Sequence, residues 1–151
     1  NDEPTRLLAK EDVDELTRRY IAAFDARDPD ALAALLHEEA VTTIVGSAVE
    51  HGRAMARSSS LADWAQEPLD QWARAGVLEG RDVLFVLARE GPDRQPGLYS
   101  IIELDAADSA VTAQRIFFFT PELLEHTAGL LGVPVLTHGY SYDGWATAAS
   151  G

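Results

Sequence analysis

An aspartate followed directly by a proline, Asp28-Pro29, separates two runs of helical periodicity and fixes how the N-terminal part of this chain can fold. The aspartate side chain can accept from the free N–H groups of a helix start, and a proline at the first helical position loses no hydrogen bond. A new helix therefore begins there. Before it, Val13, Leu16, Thr17, Tyr20, Ile21 and Phe24 recur at spacings of three and four, which predicts a helix with one apolar face. After it, Ala31 to Leu36 has high helix propensity, with Leu32, Leu35 and Leu36 as a stripe to pack on the first helix. The β-branched run Val41 to Val45 then predicts a strand within Ala40 to Val49, with Gly46 and Gly52 marking irregular backbone.

Further along, Ala54 to Gln66 reads as a third helix, weakened by Ser58-Ser59-Ser60, whose hydroxyls compete for backbone hydrogen bonds. Leu69 to Leu78, Val83 to Arg89, Leu98 to Leu104 and Val111 to Phe119 read as four strands of a meander, each pair separated by turn formers. Thr120-Pro121 predicts the start of a last helix, and Gly132 with Pro134 its end.

A chain of 151 residues, 46% of them hydrophobic, can bury one sizeable core. One domain is expected over 1–135. A tail over 136–151, carrying Tyr140, Tyr142 and Trp145, is expected to dock back near the pocket. The polar N-terminus and the absence of a long apolar run predict neither a secretory signal nor a membrane span. With no cysteine, a cytoplasmic setting is expected.

The net charge of −13 argues against a nucleic-acid footprint and against acidic membranes, because both need clustered Lys and Arg. No cofactor is expected, since a Gly-rich phosphate loop is missing and Val45-Gly-Ser-Ala-Val lacks the second glycine of a nucleophile elbow. Glu122 and His126 share a helix face, but two ligands without a third do not predict a metal. His51 falls at a strand-to-helix corner, and His138 is assigned no catalytic role.

The segment from Tyr20 to Ala40, followed by His51-Gly52-Arg53, resembles the opening of SnoaL-like proteins in the nuclear transport factor two-like superfamily, and the resemblance extends from Val13 to Leu124. It implies an α+β fold, a cone-shaped curved antiparallel sheet packed on N-terminal helices over an apolar pocket. Ketosteroid isomerase, limonene epoxide hydrolase and polyketide cyclases belong to that superfamily, beside many proteins without catalysis. Tyr20 matches the phenol that ketosteroid isomerases carry in their first helix. Aligned without gaps, Ile44 stands at their general-base aspartate and Ser100 at their second acid. The last-strand aspartate of limonene epoxide hydrolase maps near Ile116, and its Arg/Asp pair falls within Leu84 to Leu87. Neither specific reaction is expected.

That alignment, extended by strand alternation, places Thr42, Ile44, Leu69, Gln71, Ala73, Leu84, Val86, Leu98, Ser100, Ile102, Gln114, Ile116 and Phe118 inward. Outward it leaves Trp72, Arg74, Phe85, Leu87, Tyr99, Ile101, Glu103, Arg115, Phe117 and Phe119, enough apolar surface to predict a homodimer through that face. The catalytic candidates are Tyr20, as a hydrogen-bonding acid, and Asp63, as a base if burial raises its pKa. The candidate ligand contacts are Phe24, Ile44, Trp64, Gln71, Ser100, Gln114, Ile116 and Phe118. Against these stand plainer readings: Tyr20 and the aromatics as core, the polar groups as an internal network, and Asp63 as a solvated acid.

The expected partner is a small hydrophobic molecule, polyketide-like or terpenoid-like. Three functions remain open: a cofactor-independent cyclase, isomerase, dehydratase or hydrolase; a binding protein without catalysis; and an accessory or dimerisation domain. The third draws on Phe119-Thr-Pro-Glu-Leu-Leu and Leu131-Gly-Val-Pro, which resemble closing segments of SnoaL-like modules appended to bacterial RNA polymerase sigma factors.

Overall fold

Asp14 accepts from the Thr17 N–H at 2.7 Å and starts the first helix, α1 (Glu15–Asp25). Asp28 accepts from the Ala31 N–H at 3.0 Å and starts the second, α2 (Pro29–Ala34), with Pro29 at the first helical position as its missing N–H requires. The computed structural model describes residues 4–136. A two-residue strand, β1 (Arg6–Leu7), precedes α1; after α2 come β2 (Leu36–Ile44), β3 (Ala48–His51), α3 (Arg53–Ser58) and α4 (Ser60–Gln66). Then follow β4 (Asp70–Leu78), β5 (Arg81–Arg89), β6 (Gly97–Ala107), β7 (Ala110–Phe117) and α5 (Pro121–Leu131).

The strands make one curved seven-stranded sheet in the order β1-β4-β5-β6-β7-β2-β3. The meander β4 to β7 is antiparallel throughout, but β2 joins β7 in parallel, so the sheet is mixed. Helices α1 to α4 cover its concave face, where Tyr20, Phe24, Leu32, Leu61, Ala73, Leu84, Val86 and Ile102 form the main core. Full burial of side chains such as Phe24 and Leu32 stabilises by about 1.5–3 kcal/mol each.

Several local expectations give way to tertiary pairing. Leu35 and Leu36, predicted helical, leave α2 because the Val111 N–H donates to the Leu35 carbonyl at 2.9 Å and Leu36 pairs with Val111. The expected strand to Val49 is a hairpin that turns at Gly46 (φ 84°) into β3. The serine run divides the third helix into α3 and α4 at Ser59 (φ −118°, ψ −92°). Thr120 precedes α5, yet its side chain makes no capping bond and its buried Oγ1 has no partner.

Alternation along the meander is interrupted at two bulges, one between Asp105 and Ala106 against β7 and one, next to the cavity, against β5. Val86 pairs with Ser100, but its neighbour Leu87 pairs with Leu98, which leaves Tyr99 as the extra residue. Leu98, expected inward, therefore packs on the convex face with Phe85, Ile101 and Leu124. Tyr99, expected outward, packs on the concave side. Beyond the bulge the segment after α5 runs beside β6, with the Leu98 N–H donating to the Pro134 carbonyl at 2.8 Å.

The convex face is not the bare apolar surface expected. Helix α5 lays Leu124 and Ala128 over Val83, Phe85, Leu98 and Ile101, so Phe85 and Ile101 are buried within the chain. Lower on that face Glu103 is clamped between Arg81 (2.6 Å) and Arg115 (3.1 Å). Part of the surface on which the homodimer was argued is thus covered within the chain, while Trp72, Leu87 and Phe117 stay half-buried. The aromatic residues Tyr140, Tyr142 and Trp145, together with His138, lie outside the described residues. No helix among the described residues is long and apolar enough to cross a membrane.

Candidate functional site

Between the concave face and helices α1, α2 and α4 lies a cavity of about 260 Å³, open on one side. All ten residues singled out from the sequence line it: Tyr20, Phe24, Ile44, Asp63, Trp64, Gln71, Ser100, Gln114, Ile116 and Phe118. Strand alternation delivers the floor, since Ile102, Ile116 and Ile44 follow one another across β6, β7 and β2. The walls are largely apolar.

The polar groups divide into two kinds. At the deep end the Tyr20 hydroxyl donates to Gln114 Oε1 at 2.7 Å, and Gln114 Nε2 donates to Thr42 Oγ1 at 2.8 Å. These three side chains are buried and satisfy one another. Burial pushes the Tyr20 phenol well above its ordinary value, so it stays neutral. Its proton is directed at Gln114, not at the cavity. Gln71 and Ser100 are different: only 6% and 4% exposed, their side chains make no hydrogen bond to a described residue and line the cavity. The register puts Ser100 two strands and one inward position away from Gln71, a backbone separation of at most about 12 Å.

Helix α4 roofs the cavity near its mouth. Ser60, Asp63 and Trp64 line it from one helical stripe, and Glu67, which caps the helix end, joins them. Ser60, Glu67, Tyr99 and Phe119 were not foreseen. The stripe through Asp63 and Trp64 was the signal available for Ser60 and Glu67; Tyr99 is turned in by the bulge, and Phe119, expected outward, lies beyond the end of β7. Asp63 itself is solvent-exposed at the rim.

Two half-buried contacts hold α4 in place. Glu50 of β3, only 3% exposed, accepts from both the backbone N–H (3.0 Å) and the hydroxyl (2.6 Å) of Ser60. At the other end Arg27, held in the left-handed region at φ 54°, donates to the carbonyls of Trp64 (3.0 Å), Glu67 (2.5 Å) and Leu69 (2.6 Å). Its guanidinium also lies 5.7 Å from the Trp64 ring centroid, while Phe24 packs against that ring at 5.1 Å. A carboxylate at the helix start and a cation at its end both suit the helix dipole.

Among the described residues no group of three or more His, Asp or Glu is placed to hold a metal. His126, paired with Glu122 on the sequence, contacts Glu79 at 2.6 Å on the surface instead.

This architecture has solved counterparts. A cystatin-fold protein from Novosphingobium aromaticivorans superposes with a TM-score of 0.51 at 18% identity, over 68% of this chain and 95% of its own. The chain has the nuclear transport factor two-like fold. Similar to it within that fold is SalBIII, an epoxide hydrolase/cyclase-like enzyme with a role in pyran ring formation in polyether salinomycin, at 18% identity, TM-score 0.52, and 71% and 90% coverage. An epoxide hydrolase from M. tuberculosis matches at 18% identity, TM-score 0.50, and 75% and 86% coverage. Likeness at this identity establishes the nuclear transport factor two-like fold and leaves the chemistry to the residues. No family model matches the sequence, and no curated protein matches it.

Proposed function

We infer that this chain binds a small hydrophobic molecule beneath α4 and orients it through Gln71 and Ser100. The observation that carries this reading is the pair of nearly buried, unpartnered polar side chains on an otherwise apolar cavity floor. Their polar atoms are not sealed in the core but face the cavity space, where a carbonyl or hydroxyl on the ligand would pair with them. At about 260 Å³ the cavity suits a ligand smaller than drug-sized, such as a compact terpenoid-like or polyketide-like molecule. Native mass spectrometry after incubation with a hydrophobic metabolite extract tests it. A retained mass of one small molecule per chain is expected, and a Gln71→Leu/Ser100→Ala variant that retains it equally well would contradict the reading.

A catalytic reading rests on Asp63, whose carboxylate lines the same cavity as those two groups. In that reading Gln71 and Ser100 hold a ligand oxygen and Asp63 takes a proton in a cyclisation, isomerisation, dehydration or hydrolysis. Neither Ile44 nor Ser100 can act as the base, and Tyr20 already gives its proton to Gln114. Conversion of the bound species, lost in Asp63→Asn while binding persists, selects the enzyme over the binding protein.

A further inference from the structure

The stripe of α4 that roofs the cavity is the wrong kind of surface for a purely hydrophobic ligand. A helix over an apolar cavity is expected to present apolar residues at spacings of three, four and seven. Here those positions carry Ser60, Asp63, Trp64 and Glu67. Asp63 and Glu67, the residue that ends α4 in an extended conformation (φ −67°, ψ 119°), place two like charges on the same lining. Neither has an ion-pair partner among the described residues; Glu67 Oε1 accepts only from the Leu69 N–H at 3.2 Å. Glu50 is spent on Ser60, whose N–H and hydroxyl it accepts, so the carboxylates on the lining are Asp63 and Glu67.

Among the described residues, no Lys, Arg or His lines the cavity. The nearby cation Arg27 is engaged with three backbone carbonyls. The lining therefore joins two unpaired carboxylates at the rim to an apolar interior with uncharged hydrogen-bonding groups on its floor. That combination repels carboxylates and phosphates and attracts a positive charge sitting at the mouth.

Resting on the pocket reading above, we propose that the ligand is a hydrophobic amine: its ammonium sits between Asp63 and Glu67 at the rim, and its apolar body fills the cavity towards Gln71 and Ser100. Charge at the rim separates cationic ligands from the neutral and acidic molecules that the same volume would accept.

Three probes of matched shape test it: 1-adamantylamine, 1-adamantanol and adamantane-1-carboxylate, titrated calorimetrically into the intact protein at neutral pH and low salt. The amine is expected to bind about tenfold or more tightly than the carboxylate, and at least as tightly as the alcohol. In an Asp63→Asn/Glu67→Gln variant the amine's lead over the carboxylate should fall at least about fivefold, with the alcohol unchanged. A carboxylate that binds as tightly as the amine, or a lead that survives in the variant, overturns charge selection. If the alcohol binds without any preference for the amine, the pocket stands and this inference falls alone; if no probe binds, both fall.

Discussion

Tyr20 on α1 and Gln114 on β7, 94 residues apart in sequence, meet at 2.7 Å with the phenol donating to the amide oxygen. This bond pins the first helix to the concave face, and Gln114 passes the connection on to Thr42 of β2 at 2.8 Å. The phenol is thereby an element of the deep wall. In Tyr20→Phe the buried Gln114 oxygen loses its donor, so the expected cost is about 1–3 kcal/mol of unfolding free energy. Affinity for a cavity ligand should stay within about twofold. Chemical denaturation and calorimetry of the variant measure both. A fall in turnover of about 10² or more, with stability unchanged, would instead make the phenol the catalytic acid.

The same burial has a consequence in alkali. The folded pKa of Tyr20 lies above its ordinary value of 10.0, so the unfolded chain releases this proton first as pH rises. Above that ordinary value the unfolded state binds fewer protons than the folded one, and stability falls with increasing pH. Phenolate absorbance should show Tyr20 ionising only as the protein unfolds. Tyr20→Phe should remove one phenolate from the unfolding step and none from the titration of the folded protein.

Arg27 is the residue whose role is least visible from composition. It follows α1 and ties down three carbonyls at the end of α4 and the approach to β4. Loss of this clamp in Arg27→Ala should cost about 2–3 kcal/mol, since hydrogen bonds to a charged group are the stronger kind. Ligand affinity should fall with it, because Trp64 and Glu67 move with the helix end. Lysine cannot span three acceptors with a planar fork, so Arg27→Lys should recover less than half of the loss. Thermal unfolding of the two variants decides the point.

What could be read from the sequence follows from how local each cause is. Asp28 acts on an N–H group three residues away, so the start of α2 was legible, as were the equally local turn formers of the meander; the Asp14 cap was passed over for an apolar periodicity that begins at Val13. The cavity floor was legible because alternation has a fixed period, and the resemblance supplied its phase. That phase was lost at Tyr99, where the bulge adds a residue that no local preference announces. Helix α5 was foreseen as a helix, but its docking on Phe85 and Ile101 depends on packing between distant segments. The polar candidates divided for a similar reason: Gln114 found Tyr20 and Thr42 across the fold, whereas Gln71 and Ser100 found no partner among the described residues.

The account stands most directly on whether the cavity is the binding site. Ser100→Leu removes one of the two unpartnered groups and extends a side chain into existing space, so its melting temperature should not fall below that of the native chain. Titration of 1-adamantanol into the native protein should show one site per chain with a negative heat-capacity change. In Ser100→Leu the affinity should fall at least about tenfold. Equal affinity in the two proteins would contradict the account.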